Sequence, residues 1–236
     1  FSAAEDWDLW LRIARRYEMV GTPRVLVGYR LHDRSMTSEM ARAHWHAVYD
    51  VVVDHFGPEP EHWREEPAIN RRAFGGAHAF LARRHLEVAD DEQAVEHIAA
   101  ALRADPDLVH DLDFFYELGL GRQARGLKGS LKAYSDHDSA CLLLSVLDRA
   151  ARRLGSAFAP LHRSAYGTAH LALGLLAYGK PNARAARGHL IRAAQFEPRL
   201  MMDRRLLSTL TRVMLLTDPM IAWLRAQRDR RRDAVG

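Results

Sequence analysis

The amino-acid sequence predicts a mainly α-helical protein that opens with a short mixed α/β segment. Three observations predict this fold class. Beyond residue 67 apolar residues recur at helical spacing, and we find no convincing strand there. Two stretches within that part, Phe74–Leu108 and Tyr166–Leu200, align with each other without a gap. The first 56 residues instead combine a helix, a β-branched run and a second helix.

The composition favours a folded protein without a membrane-spanning segment or an internal disulfide framework. The chain has 236 residues, of which 48% are hydrophobic, enough for one or two folded domains. No apolar run approaches the roughly 20 residues that span a bilayer, and the start does not have a signal-peptide pattern. The single cysteine, Cys141, excludes an internal disulfide framework and fits a reducing compartment, so we expect a cytoplasmic protein with a buried structural thiol.

The opening segment predicts three elements in order. Residues 5 to 17 read as a helix, with apolar residues on one face and acidic residues in the first turn. Val25–Tyr29 reads as a strand because it is short, apolar and β-branched. Residues 39 to 56 read as a second helix. The acidic, proline-rich stretch 57–67 looks like a linker, so we divide the chain into residues 1–56, 57–67 and 68–236.

The repeat gives the third segment its predicted architecture. Each copy reads as two helices joined by a short turn, and each ends in an acidic residue followed by proline, Asp105–Pro106 and Glu197–Pro198. Each copy resembles the tetratricopeptide unit, a helix-turn-helix of roughly 34 residues that stacks on its neighbours. The region between the copies predicts another helical pair. Matched positions include Gly75 with Gly167, Ala77 with Ala169, His78 with His170, Ala94 with Ala186, and His97 with His189.

The motif that carries chemistry lies at the start of the chain. Glu5 and Asp6 open a helix that continues Trp-Asp-Leu-Trp-Leu-Arg, the predicted strand follows, and Tyr29-Arg30-Leu31-His32 leads into a segment with Ser and Thr. This compound pattern resembles the C-terminal part of a family 2 glycosyltransferase of the GT-A type. The resemblance covers about the first 40 residues. It implies that residues 1–56 are the final part of a GT-A α/β domain, in a longer protein that builds a bacterial glycan.

The resemblance also implies roles for particular residues. Asp6 would be the general base that takes the proton of the acceptor hydroxyl, and Glu5 would support the loop or touch the acceptor. His32 would contribute to a Mg²⁺ or Mn²⁺ site whose main ligands lie upstream of this chain. Arg30 and Arg34 would neutralise phosphate. Trp7 would line the acceptor pocket, although we interpret Trp7 and its neighbour Trp10 first as core residues.

The implied substrates are a nucleotide-diphosphate sugar and a glycan acceptor. The family's nucleotide-binding half and its Asp-x-Asp motif do not precede Glu5, so we expect the isolated chain to be inactive. The later triplets 111–113 and 136–138 are interpreted as helix caps or chance. His44, His46, His78 and His170 do not form a convincing metal set, and the recurrence of His78 and His170 suggests a packing role.

Two rival functions stay open at this point. The helical part alone would serve as an interaction module for a partner protein, with peripheral contact to a membrane also compatible. A nucleic-acid-binding protein would explain the pI near 9.4 and the arginine cluster at residues 228–232. The net charge of +4 is small against 34 basic and 30 acidic residues, so we expect a solvated tail and no nucleic-acid partner.

Overall fold

The structure is a computed structural model that describes residues 4–22, 26, 45–122, 135–180 and 182–233. Within these ranges the chain forms helices and no strand, which confirms the mainly α-helical fold. We number the α-helices α1 Glu5–Ala14, α2 Ala47–Phe56, α3 Ala68–Glu87, α4 Asp91–Ala104, α5 Leu112–Leu120, α6 Asp136–Leu154, α7 His162–Gly179, α8 Ala183–Phe196, α9 Arg204–Leu215 and α10 Asp218–Asp233; 3-10 helices cover Pro106–His110, Gly155–Phe158 and Pro198–Met202.

Short polar side chains cap the N-termini of several of these helices. In each case the side chain before the helix accepts a hydrogen bond from a backbone N–H of the first turn, which would otherwise lack a partner. The residues that cap in this way are Asp90, Asp111, Ser135, Asn182 and Asp203. Asp111 thus has the capping role expected for the first Asp-x-Asp triplet. In the second triplet, Asp136 is the first residue of α6 and accepts from the Asn182 amide at 2.6 Å.

The two sequence repeats have the same structure. α3 packs along α4 and α7 along α8, and α4 and α8 each contain 14 residues at matched positions. Pro106 and Pro198 each open a 3-10 helix after the second helix of the pair. Between the copies, α5 packs on α7 while α6 packs on α4. One large hydrophobic cluster links α3 through α10, as stacking of repeat units requires.

The first two helices, α1 and α2, pack less extensively on the rest of the chain than the helices of the repeats do. α1 has no buried residue, and it is anchored by the preceding Ala4, which packs with Val48 and Val51 of α2. The expectation that Trp7 and Trp10 belong to a core is wrong in this structure, because their side chains are 44% and 51% exposed. α1 also ends at Ala14 rather than at residue 17.

Several expectations for the opening segment lie outside the described residues. Of the strand predicted at 25–29 only Leu26 is described. Of the helix predicted over residues 39 to 56, residues 45–56 are described, and they contain α2 Ala47–Phe56. The segment 57–67 does pack on the repeats, since Trp63 is buried against Phe74 at a ring-centroid distance of 5.5 Å. The division into three segments stays a prediction.

Cys141 is exposed, so the expectation of a buried thiol is wrong. The buried stripe of α6 consists of Leu143, Val146, Leu147 and Ala150, and Cys141 falls off that stripe. Among the described residues, no helix combines the length and apolarity needed to cross a membrane.

Candidate functional site

The acidic pair lies in the first turn of α1. Glu5 and Asp6 are both exposed, and an Asp6 carboxylate oxygen accepts the Trp7 backbone N–H at 2.9 Å. The N-terminus of a helix carries partial positive charge, which attracts carboxylates placed there. Two solvent-accessible carboxylates at a helix start can accept hydrogen bonds or a proton from a hydroxyl.

The carboxylate of the motif that the fold holds most firmly is Asp8. His55 of α2 contacts one Asp8 oxygen through Nε2 at 2.8 Å, and Arg12 contacts the other at 2.7 Å. The hydrogen bond with His55 and the charge of Arg12 hold the pKa of Asp8 below its usual value. Arg15 donates a further hydrogen bond to the His55 backbone carbonyl. These contacts fix how α1 sits on α2.

Asp8, Asp54 and His55 form the one group of three metal-ligating side chains that the described part of the chain contains. Their ligand atoms lie within 4.8 Å of one another. The set does not fit the Mg²⁺ or Mn²⁺ that the resemblance implies. Both Asp8 oxygens are already engaged, one by the Nε2 atom of His55 and the other by the Arg12 guanidinium, whose positive charge opposes a cation there.

The structure describes only one of the other residues expected at the site. Trp7 follows the acidic pair and is half exposed on α1, so its ring is accessible from solvent. Arg30, His32 and Arg34 lie outside the described residues. Glu5, Asp6 and Trp7 are consecutive residues that lie exposed in the first turn of α1, and their roles, like the phosphate-binding and metal-binding expectations, stay predictions.

A second polar cluster lies inside the first repeat. His78 of α3 and His97 of α4 share a hydrogen bond between their Nδ1 atoms at 3.0 Å. The Nε2 atom of His78 contacts Glu59 at 3.2 Å, and Glu59 accepts a hydrogen bond from the Tyr49 hydroxyl at 2.6 Å. The cluster thus ties α2 and the segment 57–67 to the first helical pair.

The charge states within this cluster follow from its burial. Burial and neighbouring histidines lower the pKa of His97 to about 4, so His97 is neutral at pH 7. The hydrogen bond from His78 lowers the pKa of Glu59, which is therefore ionised. Burial, and then the hydrogen bond to Glu59, raise the pKa of Tyr49. The result is one carboxylate held by a phenol and an imidazole.

The second repeat reproduces the histidine pair and changes its surroundings. His170 of α7 and His189 of α8 share an Nδ1–Nδ1 hydrogen bond of 3.0 Å, and burial lowers the pKa of His170 to about 4. No carboxylate corresponding to Glu59 is found there among the described contacts; instead His170 stacks on Phe196. An open groove of about 330 Å³ is lined by Asn182, Arg184, Ala185, Gly188, His189 and Arg192.

The recurrence of these histidines was predicted from the sequence, but the contact within each pair was not. His78 and His97 stand 19 residues apart, as do His170 and His189. In two helices that run back along each other after a short turn, such a separation can place residues side by side. The buried positions of His78 and His170 agree with the packing role inferred from the sequence.

Comparisons of the chain with protein-family models, with curated proteins and with solved structures give no match.

Proposed function

We propose that this chain is the C-terminal part of an inverting family 2 glycosyltransferase, in which the acidic pair on α1 serves the acceptor and the helical repeats follow. The observation that carries the proposal is the compound motif of residues 5–32, an acidic pair opening a helix with a Tyr-Arg-x-His segment after it. A donor-binding half is needed in addition, because these residues do not include one.

The position of the acidic pair supports this role. Glu5 and Asp6 are exposed at the start of α1, while Asp8 of the same helix contacts His55 of α2. A base carried on a helix that contacts its neighbour in this way is held in place better than one on a loop. The exposed Trp7 ring beside the pair offers an apolar surface for a sugar or acceptor face.

In the proposed reaction Asp6 acts as the general base. The acceptor hydroxyl oxygen bonds to the anomeric carbon of the donor as the bond from that carbon to the diphosphate oxygen breaks. The hydroxyl proton passes to the Asp6 carboxylate, and the nucleoside diphosphate leaves with the bonding electron pair. Attack opposite the leaving group inverts the anomeric configuration.

The first prediction concerns Asp6 in the full-length enzyme. We expect Asp6→Asn to lower the turnover number by about 10²–10⁴-fold, the usual contribution of a general base. Donor binding, measured by calorimetry with the nucleotide sugar, should change little because Asp6 serves the acceptor. The isolated chain should not transfer sugar.

The matched control is Asp113→Asn. Asp113 is an exposed carboxylate at the second position of α5, as Asp6 is at the second position of α1. This substitution should leave the turnover number unchanged. Full activity of the Asp6 variant, or an equal loss in both variants, would refute the assignment of Asp6.

A second candidate function is a helical interaction module, and the ordered repeat favours it. Two helical pairs with matching internal contacts stack into one array, an architecture that presents extended surfaces to partners. The test is chemical crosslinking of the whole chain in an extract of the organism that makes it. Absence of a specific crosslink would count against this candidate without affecting the first.

A further inference from the structure

The first repeat shows how the outer side of its second helix is used. On α4, the residues Glu92, Val95, Glu96 and Ala99 face α6, and Val95 and Ala99 are fully buried. The flanking carboxylates pair with arginines of α6. Arg153 contacts Glu96 at 2.7 Å and also contacts Glu92, which in turn pairs with Arg149. The first repeat therefore docks a helix whose arginines stand four residues apart.

The matching residues of the second repeat are uncovered. The positions on α8 are Arg184, Arg187, Gly188 and Ile191, which we call the α8 outer face. All four are exposed; Ile191 is 43% exposed, whereas its counterpart Ala99 is 1% exposed. A Cβ atom added to Gly188 would meet nothing within 4 Å. The groove described above borders this face and shares Arg184 and Gly188 with it.

The charge of the face is reversed between the two repeats. Arg184 replaces Glu92, Arg187 replaces Val95 and Gly188 replaces Glu96, and Arg192 adds a third positive charge one turn further along the groove. Two carboxylates near the N-terminal end of α8 accept hydrogen bonds from other groups than the arginines of this face. Asp136 accepts from the Asn182 amide at 2.6 Å, and Asp218 accepts from the Ala183 backbone N–H at 2.7 Å.

We propose that the α8 outer face docks an acidic amphipathic helix of a partner protein, in the way that α4 docks α6 but with the charges exchanged. The partner helix would carry two carboxylates four residues apart, to pair with Arg184 and Arg187 or Arg192. Small and apolar residues between them would cover Ile191, and Gly188 would let the two backbones approach closely.

The apolar component favours a helix over a nucleic acid. A phosphate backbone would use the arginines but would leave Ile191 and the small residues beside it without a complementary surface. Ile191 and the flanking arginines lie on the same helical face, and that combination matches an amphipathic helix that carries carboxylates beside an apolar stripe. The inference does not depend on the glycosyltransferase proposal.

The experiment uses α6 itself as the template for a probe. The probe is an acetylated and amidated peptide of Asp136–Leu154 in which Arg149 and Arg153 are replaced by Glu and Cys141 by Ala. Two comparison peptides are the same segment with its native arginines and a scrambled peptide with the composition of the probe. A short DNA duplex is the third comparison ligand. Binding to the whole chain is measured by fluorescence anisotropy.

We expect the acidic probe to bind, with an affinity about tenfold higher than that of the native and scrambled peptides. The reason is that charge pairing fixes both register and partner choice. The double substitution Arg184→Glu and Arg187→Glu should weaken probe binding by a similar factor. Both side chains are exposed, and circular dichroism checks that the variant folds. The control Arg72→Glu, an exposed arginine on α3, should bind the probe normally.

Other results would overturn the proposal. No binding of the acidic probe, equal binding of the scrambled peptide, or binding that survives the double substitution would each exclude a helix-docking role for the α8 outer face. If the DNA duplex binds in a manner abolished by the same substitution while the probe does not, the face is a phosphate-binding surface instead.

Discussion

Gly75 and Gly167 are the residues at which the two repeats are most closely packed. A Cβ atom on Gly75 would lie 2.6 Å from the Asp105 Cβ atom, and one on Gly167 would lie 2.5 Å from the Glu197 Cβ atom. Leu108 and Leu200 approach the same positions at 3.4 and 3.3 Å. The acidic residue that ends each second helix thus packs where only a hydrogen atom fits, which explains why glycine and acid recur together.

The adjacent residues Gly75 and Gly76 provide a matched test. Gly75→Ala should destabilise the fold by about 1–3 kcal/mol, because the contacted Asp105 Cβ atom is close to the backbone and cannot move freely. Gly76→Ala should stabilise it by about 0.5–1 kcal/mol, since its added Cβ meets nothing within 4 Å and alanine favours the helix. Urea unfolding measures both. Equal effects of the two substitutions would contradict this packing.

At the scale of elements, α6 is held against α4 by a buried apolar stripe flanked by ion pairs. Val146, Leu147 and Ala150 of α6 are buried in the core, while Arg149 and Arg153 reach Glu92 and Glu96. The arginines and glutamates are partly exposed to solvent, so their main contribution is to the register of the two helices rather than to stability.

Exchanging the charges tests this docking of α6. Arg153→Glu should lower the free energy of unfolding by about 1 kcal/mol, because attraction to two carboxylates becomes repulsion. Adding Arg149→Glu, Glu92→Arg and Glu96→Arg exchanges all four charges and should recover most of that loss. Chemical denaturation at low salt measures the single and the quadruple variant, with Arg72→Glu as a control for the change in net charge. A quadruple variant no more stable than Arg153→Glu would show that these pairs do not form.

At the scale of the whole molecule, the two buried histidine pairs make stability depend on pH. Burial lowers the pKa values of His97 and His170 to about 4 and also lowers that of His189. In the unfolded chain a histidine titrates near pH 6.5. Between these values the unfolded state binds more protons than the folded state, so stability is present above pH 6.5 and is lost as the pH falls towards 4.

We therefore expect the free energy of unfolding to fall on acidification from pH 6.5 to 4, with a slope approaching about 1.4 kcal/mol per pH unit for each histidine whose pKa is lowered in the folded state. The double variant His97→Gln and His170→Gln keeps polar side chains but removes one titrating group from each pair. Its slope over this range should be clearly smaller when measured by urea unfolding at several pH values. An unchanged slope would contradict the buried, neutral state of these histidines.

The sequence by itself determined the helices of the repeats, the turn and cap residues between them, and the correspondence of the two copies. These features depend on short-range physics. Apolar spacing marks helical faces, Asp90 and Asn182 cap the next helix through their own neighbours, and Pro106 and Pro198 end a unit wherever they stand. The location of Glu5 and Asp6 in the first turn of a helix was predictable for the same reason.

The tertiary structure decided which side chains meet across helices. It pairs Asp8 with His55, which is 47 residues away, leaves Trp7 and Trp10 exposed, turns Cys141 to solvent, and joins His78 to Glu59 and Tyr49. It also covers the outer side of α4 while leaving the α8 outer face open. Helical periodicity shows that a helix has an apolar face but not which neighbour covers it, because that depends on the packing of all the helices together.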